Sequence, residues 1–183
     1  MPNPTTYVAL LRGVNVGGRN MMSMTALRQC LEQLGLTNVK TFIQSGNVVF
    51  ESAEKRRAKL TRRIESAVST ALGIDSRVVL LSQAQLKAIV ADAPAGWVGN
   101  SELRRNIAFL RPALTVSQAL KQVEVKPGVD SVAAGKRVLY MSTAISGVQK
   151  SGLRKLIGTP AYREMTIRTY TTCQKILALT ERG

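Results

Sequence analysis

The chain has 183 residues, 45% of them hydrophobic, enough apolar material for one large or two small folded domains, which excludes a disordered polymer. Lysine and arginine outnumber aspartate and glutamate by 26 to 11, giving a formal net charge of +15 that favours polyanionic partners such as nucleic acid or phosphorylated ligands, with solubility as the plainer use of the charge. Histidine is absent, which excludes Ser-His-Asp and Cys-His catalysis and removes the commonest zinc and copper ligand, so no metal site is expected.

The opening MPNPTT lacks the basic-then-apolar order of a signal peptide, and no apolar run approaches the roughly 20 residues of a membrane helix, so a cytoplasmic location and no membrane partner are expected. Residues 7–12 (YVALLR) read as a buried strand closed by Gly13, and the following GVNVGGRN as a loop. Ser23 is the expected N-cap of a helix over residues 24–34, where Met24, Leu27, Leu31 and Leu34 recur at helical spacing before Gly35. Residues 38–44 and 48–51 form a predicted hairpin around Ser45-Gly46-Asn47.

A long helix is predicted over residues 54–72, with Leu60, Ile64, Ala67, Val68 and Leu72 on one side and Lys55, Lys59, Arg62 and Arg63 on the other. Residues 76–81 complete a fourth strand, and Ser82 caps a helix carrying Leu86, Ile89 and Val90. The Pro-Gly stretch from Pro94 to Gly99 marks the expected boundary, with a first domain over residues 1–93, a linker over 94–105 and a second domain over 106–183.

The second half repeats the order. A strand over residues 106–110 precedes a capping box at Thr115 and Gln118 that opens a helix through Val123. A second hairpin pairs residues 131–134 with 137–142, a helix is predicted over about 150–157, a strand over 166–170, and a last helix from near Thr172. Two successive βαββαβ patterns define an α+β fold of two ferredoxin-like halves with antiparallel sheets, pseudo-duplicated in element order. Cys30 and Cys173 fall in apolar helical stripes and read as buried, reduced thiols.

With strands one and three adjacent, the loop carrying Arg12, Gly13, Asn15, Gly17, Gly18, Arg19 and Asn20 meets the turn carrying Gln44, Ser45, Gly46 and Asn47. Glycines let backbone N–H groups turn toward a ligand, so a phosphate or carboxylate fits this edge. The pattern is neither G-x-G-x-x-G nor a P-loop. The same residues equally suit a tight crossover in which Asn15 and Asn47 bond their own turns. Glu51 is the nearest carboxylate for acid–base work. The run Lys55-Arg56-Arg57-Ala58-Lys59 with Arg62-Arg63 fits either a phosphate-tracking face or a solvated one. Aromatic residues are too few for base stacking on the sheet, and Tyr7 and Phe50 read as core.

The strings YVALLRGVNVGGRN, MTALRQCLEQLG and TNVKTFIQSGNVVFES resemble the opening of the bacterial family called domain of unknown function 1697 (DUF1697), densely over residues 7–52. Thr166 to Thr172 (TIRTYTT), continued by Lys175, resembles the family's T-T-R-N-W-N-T signature. The resemblance implies a duplicated ferredoxin-like α+β fold and no established activity or cofactor. Its matched motif positions are Arg12, Gly13, Asn15, Gly17, Gly18, Arg19, Gln44, Ser45, Gly46, Asn47 and Arg168, while Thr169 and Thr171 stand in place of asparagines and Tyr170 in place of tryptophan.

Three functional expectations follow from charge and loop chemistry. The first is binding of a nucleotide or nucleic-acid phosphate at the glycine- and amide-rich edge. The second is a histidine-independent enzyme on a small phosphorylated or carboxylated metabolite, working by positioning and electrostatics. The third is a protein-interaction module using exposed strand edges or the basic helix.

Overall fold

A computed structural model describes residues 3–15, 18 and 21–181. The chain divides into two compact units, Met1–Leu86 with Lys175–Gly183, and Lys87–Gln174.

In the first unit the apolar run at the N-terminus forms β1 (Thr5–Leu11), and Ser23 caps α1 (Met24–Gln33) by accepting the Ala26 N–H. The hairpin strands are β2 (Thr37–Phe42) and β3 (Asn47–Ser52), followed by α2 (Arg57–Leu72) and β4 (Val78–Ser82). The sheet order is β2-β3-β1-β4 and every neighbouring pair is antiparallel, the ferredoxin-like arrangement. Alternation places Tyr7, Ala9 and Leu11 on the face that also receives Leu27 and Leu31 of α1 and Leu60, Ile64 and Val68 of α2. Tyr7 and Phe50 are both buried, with ring centroids 5.9 Å apart.

Helix α2 begins three residues later than the sequence pattern predicts. The Glu54 carboxylate accepts the Arg56 N–H at 2.9 Å, and the Ser52 hydroxyl accepts the Glu54 N–H at 3.2 Å, which turns the chain before the first helical residue. That backbone bond, together with the Arg56 and Lys59 side chains, pulls the Glu54 carboxyl down to about 2.

Helix α3 (Gln83–Ala91) is capped at Ser82, whose hydroxyl accepts the Gln85 N–H. The expected linker of residues 94–105 is structured at both ends. Trp97 is buried, and Leu103 already begins β5 (Leu103–Leu110).

The second unit continues with α4 (Val116–Leu120), β6 (Asp130–Gly135), β7 (Val138–Ala144), α5 (Pro160–Arg163), β8 (Met165–Thr169) and α6 (Tyr170–Glu181), the last running into the first unit. The capping box is present: Thr115 receives the Gln118 N–H and Gln118 receives the Thr115 N–H. The sheet order β6-β7-β5-β8, again all antiparallel, reproduces that of the first unit. Its core gathers Ala108, Leu110, Leu139, Met141 and Met165 beneath Ala119, Leu156 and Ala161.

The helix expected over residues 150–157 is instead a pair of 3₁₀ segments, Ile145–Lys150 and Gly152–Gly158. Ser151 between them is extended at φ −60° and ψ 129°, which breaks the helical ladder. Gly152 passes so close to the α4–β6 connection that a Cβ there would lie 2.7 Å from the Glu124 carbonyl oxygen. Thr159 is held extended before Pro160, as a residue preceding proline must be, so the segment restarts as α5 rather than continuing.

Candidate functional site

At one end of the first sheet β1 leaves, β3 enters and β4 begins. The Leu11 N–H donates to the Gly46 carbonyl at 2.8 Å, and the Arg12 N–H donates to the Arg77 carbonyl at 2.8 Å. The Ser76 hydroxyl, fully buried, donates to the Arg12 carbonyl at 2.8 Å. Three chain segments are therefore knotted at the backbone around Arg12.

Asn15 ties this end of the sheet to Met22 and to the hairpin turn. Its amide nitrogen donates to the Gln44 carbonyl at 2.7 Å and to the Met22 carbonyl at 3.0 Å, while its amide oxygen accepts the Met22 N–H at 2.6 Å. The residue takes φ 54°, a left-handed conformation that asparagine tolerates better than most. Asn47 is completely buried and donates to the Phe42 carbonyl at 3.1 Å and to the Ser45 hydroxyl at 2.8 Å, closing the hairpin turn. Both amides are thus spent on the turns themselves. Val14 packs under the loop at 2% exposure, and Gly46 comes against Leu11.

Of the residues singled out in the sequence, Arg12, Gly13, Asn15, Gln44, Ser45, Gly46 and Asn47 converge here, with Gly18 in the same loop. Gly17, Arg19 and Asn20 lie outside the described residues. Glu51 lies away from this edge: it pairs with Thr6 near the far end of β3 and accepts from the Asn38 amide at 2.8 Å. Arg77 was missed in the sequence because its proximity to Arg12 depends on the β1–β4 pairing, a long-range contact with no local signal.

The basic run before and within α2 is largely engaged. Lys55 Nζ donates to the Asn3 carbonyl at 2.8 Å, Arg56 and Lys59 pair with Glu54, Arg57 donates to Gln85 at 2.6 Å, and Arg63 donates to the Leu34 carbonyl at 2.9 Å.

Arg168, from the C-terminal motif, belongs to the second unit, where it pairs with Ile107 on β5 and donates to the Ile167 carbonyl at 3.0 Å. Burial lowers its pKa to about 10. Burial likewise pushes the Cys173 thiol up to about 12, with Arg168 opposing the shift. Tyr170 is buried edge-on to Trp97 at 5.3 Å, and Trp97 meets Tyr140 at 5.8 Å. Thr169 caps α6, its hydroxyl accepting the Thr172 N–H at 3.1 Å. The motif's polar positions serve here to start a helix and its aromatic position to fill a core.

The second unit also holds an open cleft of about 490 Å³ between β5, β7 and the two 3₁₀ segments. No sequence motif marks it, since its walls come from strands and crossover turns far apart in the chain.

The family model described as "Protein of unknown function (DUF1697)" matches residues 5–140, which takes in the loop edge and stops short of the C-terminal motif. Among solved structures the chain is similar to a conserved bacterial protein, SP0830, from Streptococcus pneumoniae, at 30% identity over 98% of this chain and 100% of that one, with a TM-score of 0.87. No curated protein matches. Among the described residues, no helix is long and apolar enough to cross a membrane.

Proposed function

The chain belongs to the DUF1697 family of proteins of unknown function, a membership that brings no activity with it, and we propose that the loop edge of its first unit binds a phosphate-bearing anion, a nucleotide or a nucleic-acid strand. The observation that carries this reading is the Asn15 clamp. Its three hydrogen bonds tie residue 15 to Met22 and to the Gln44 carbonyl, so this described part of the edge is fastened in advance of an anion.

Electrostatics favours the same reading. Backbone pairing brings Arg12 and Arg77 together at the edge, within a chain of net charge +15. Glu65, which accepts the Val78 N–H at 2.9 Å, and Asp75, exposed two residues before Arg77, keep their negative charge and offset part of this. The sequence adds Arg19 in the glycine loop. Because Asn15 and Asn47 are committed to the turns, recognition would fall to guanidinium groups and backbone N–H groups, which suits phosphate better than a base edge.

Arg77→Ala and Arg19→Ala are each expected to weaken binding of ATP or of a labelled single-stranded oligonucleotide by about fivefold, close to 1 kcal/mol per lost charge. Arg56→Ala, which removes a cation already paired with Glu54, should leave binding unchanged. Fluorescence anisotropy on the full chain reads all three. Equal affinity in wild type, Arg77→Ala and Arg19→Ala would overturn the assignment.

A further inference from the structure

We propose that the open cleft of the second unit is a binding site for a small amphipathic anion, a carboxylate or phosphate monoester carrying an apolar chain or ring. Strand alternation sets its floor. Arg104 and Asn106 on β5 share one sheet face with Met141 and Thr143 on β7, in the register Asn106 opposite Met141 and Arg104 opposite Thr143. Leu156 and Ile157 of the second 3₁₀ segment form part of the opposite wall; Leu156 is buried, whereas Ile157 is 66% exposed at the mouth.

The lining contains two guanidinium groups, Arg104 and Arg154, and no carboxylate. Neither arginine is in an ion pair among the described residues. The hydrogen bonds of Arg154 go to the neutral carbonyl and amide oxygens of Gln149, at 3.5 and 3.3 Å. Met141, Val148, Leu153, Leu156, Ile157 and Ile167 give the cleft apolar walls among polar neighbours, and its two guanidinium groups outnumber the one carboxylate behind the lining, Asp130, so an occupant with an apolar body and an anionic head fits. The volume of about 490 Å³ lies within the range of ordinary small-molecule sites.

The site is also preformed. Asp130 accepts from the Ser151 hydroxyl at 2.6 Å, the Thr143 hydroxyl at 2.9 Å, the Gly152 N–H at 2.8 Å and the Lys126 N–H at 3.0 Å, so the β7 end and the start of the second 3₁₀ segment are tied together behind the lining. Binding therefore orders little backbone, while the exposed Arg104 and Arg154 side chains still have to settle on the head group.

The test is titration of the full chain with octanoate, octyl phosphate and neutral octan-1-ol, followed by two-dimensional amide NMR. Saturable shifts at residues 104–106, 141–143 and 151–157 are expected for the two anions, with the tighter one identifying the head group. Arg104→Ala combined with Arg154→Ala should weaken the anion about tenfold, and Ile157→Glu, an exposed change that places negative charge at the mouth, should abolish binding. Arg77→Ala in the first unit should leave it intact, so failure here is separate from failure at the loop edge. Absence of saturable shifts, equal binding of octan-1-ol, or equal weakening by Arg77→Ala would each overturn the proposal.

Discussion

Asp130→Ala is expected to lower the unfolding midpoint of the second unit by about 12–24 °C, equivalent to about 3 kcal/mol in a unit that spans residues 87–174. The half-buried carboxylate accepts four hydrogen bonds, two from hydroxyls and two from backbone N–H groups, and joins three separate segments: the turn at Lys126, the end of β7 and the 3₁₀ crossover. Hydrogen bonds to an ionised acceptor are worth about 1.5–3 kcal/mol each in isolation and add poorly within one network, which sets the size of the loss. Since Thr143 and Ser151 line the cleft, octanoate binding should fall with it.

The same cluster makes a pH prediction. Burial raises the Asp130 pKa, but the bonds from Ser151, Lys126, Thr143 and Gly152 outweigh it and hold the group below its ordinary value. A carboxyl whose folded pKa is depressed contributes stability that is fully present above the unfolded value of about 3.9 and disappears as pH falls through the folded value. The stability gap between wild type and Asp130→Asn should therefore be constant at neutral pH and close in acid below about pH 4. A gap that persists unchanged in acid would contradict the ionised network.

Gly46→Ala should be as damaging to the first unit, costing about 3 kcal/mol in denaturant unfolding. Gly46 has φ 69°, where an L-residue loses about 1–2 kcal/mol. Its added Cβ would also stand 2.8 Å from Leu11 Cβ, an atom fixed to a fully buried strand end that cannot swing away. Relief requires moving the turn off β1, which stretches the Leu11-to-Gly46 bond and the Asn15-to-Gln44 bond together. The variant should thus lose both stability and the proposed anion binding, whereas Arg77→Ala should lose only binding.

Local signals made most of the fold legible. Ser23 before an apolar stripe and Thr115 three residues before Gln118 each encode a structure that closes within a few residues and are found where the sequence places them, and the hairpin is present with its turn at residues 43–46 rather than 45–47, Asn47 already opening β3. The twin βαββαβ order followed from those pieces. The crossover over residues 145–163 was not legible, because the contact that demands glycine at Gly152 comes from Glu124, distant in sequence.

Charge was the least readable feature. The Lys55–Arg63 run looks like an open cationic face in the sequence, yet Glu54, Gln85, Asn3 and Leu34 engage most of it, and those partners are set by tertiary packing. Arg77 gives the reverse case, a residue without a motif that the β1–β4 pairing brings to the loop edge. The sequence left Asn15 and Asn47 open between ligand contact and turn closure; their hydrogen bonds go to the turns, which shifts the proposed recognition onto arginine and backbone.

The most direct test of anion binding at this edge is the affinity of the full chain for a single-stranded oligonucleotide and for ATP over a series of salt concentrations. With about three phosphates neutralised, log K for the strand should fall against log salt with a slope near −2, and Arg77→Ala should make that slope shallower by about 0.7. A saturable ATP site with the same Arg77 dependence would identify the ligand as a nucleotide. No association with either, or a slope untouched by Arg77→Ala, would contradict the account.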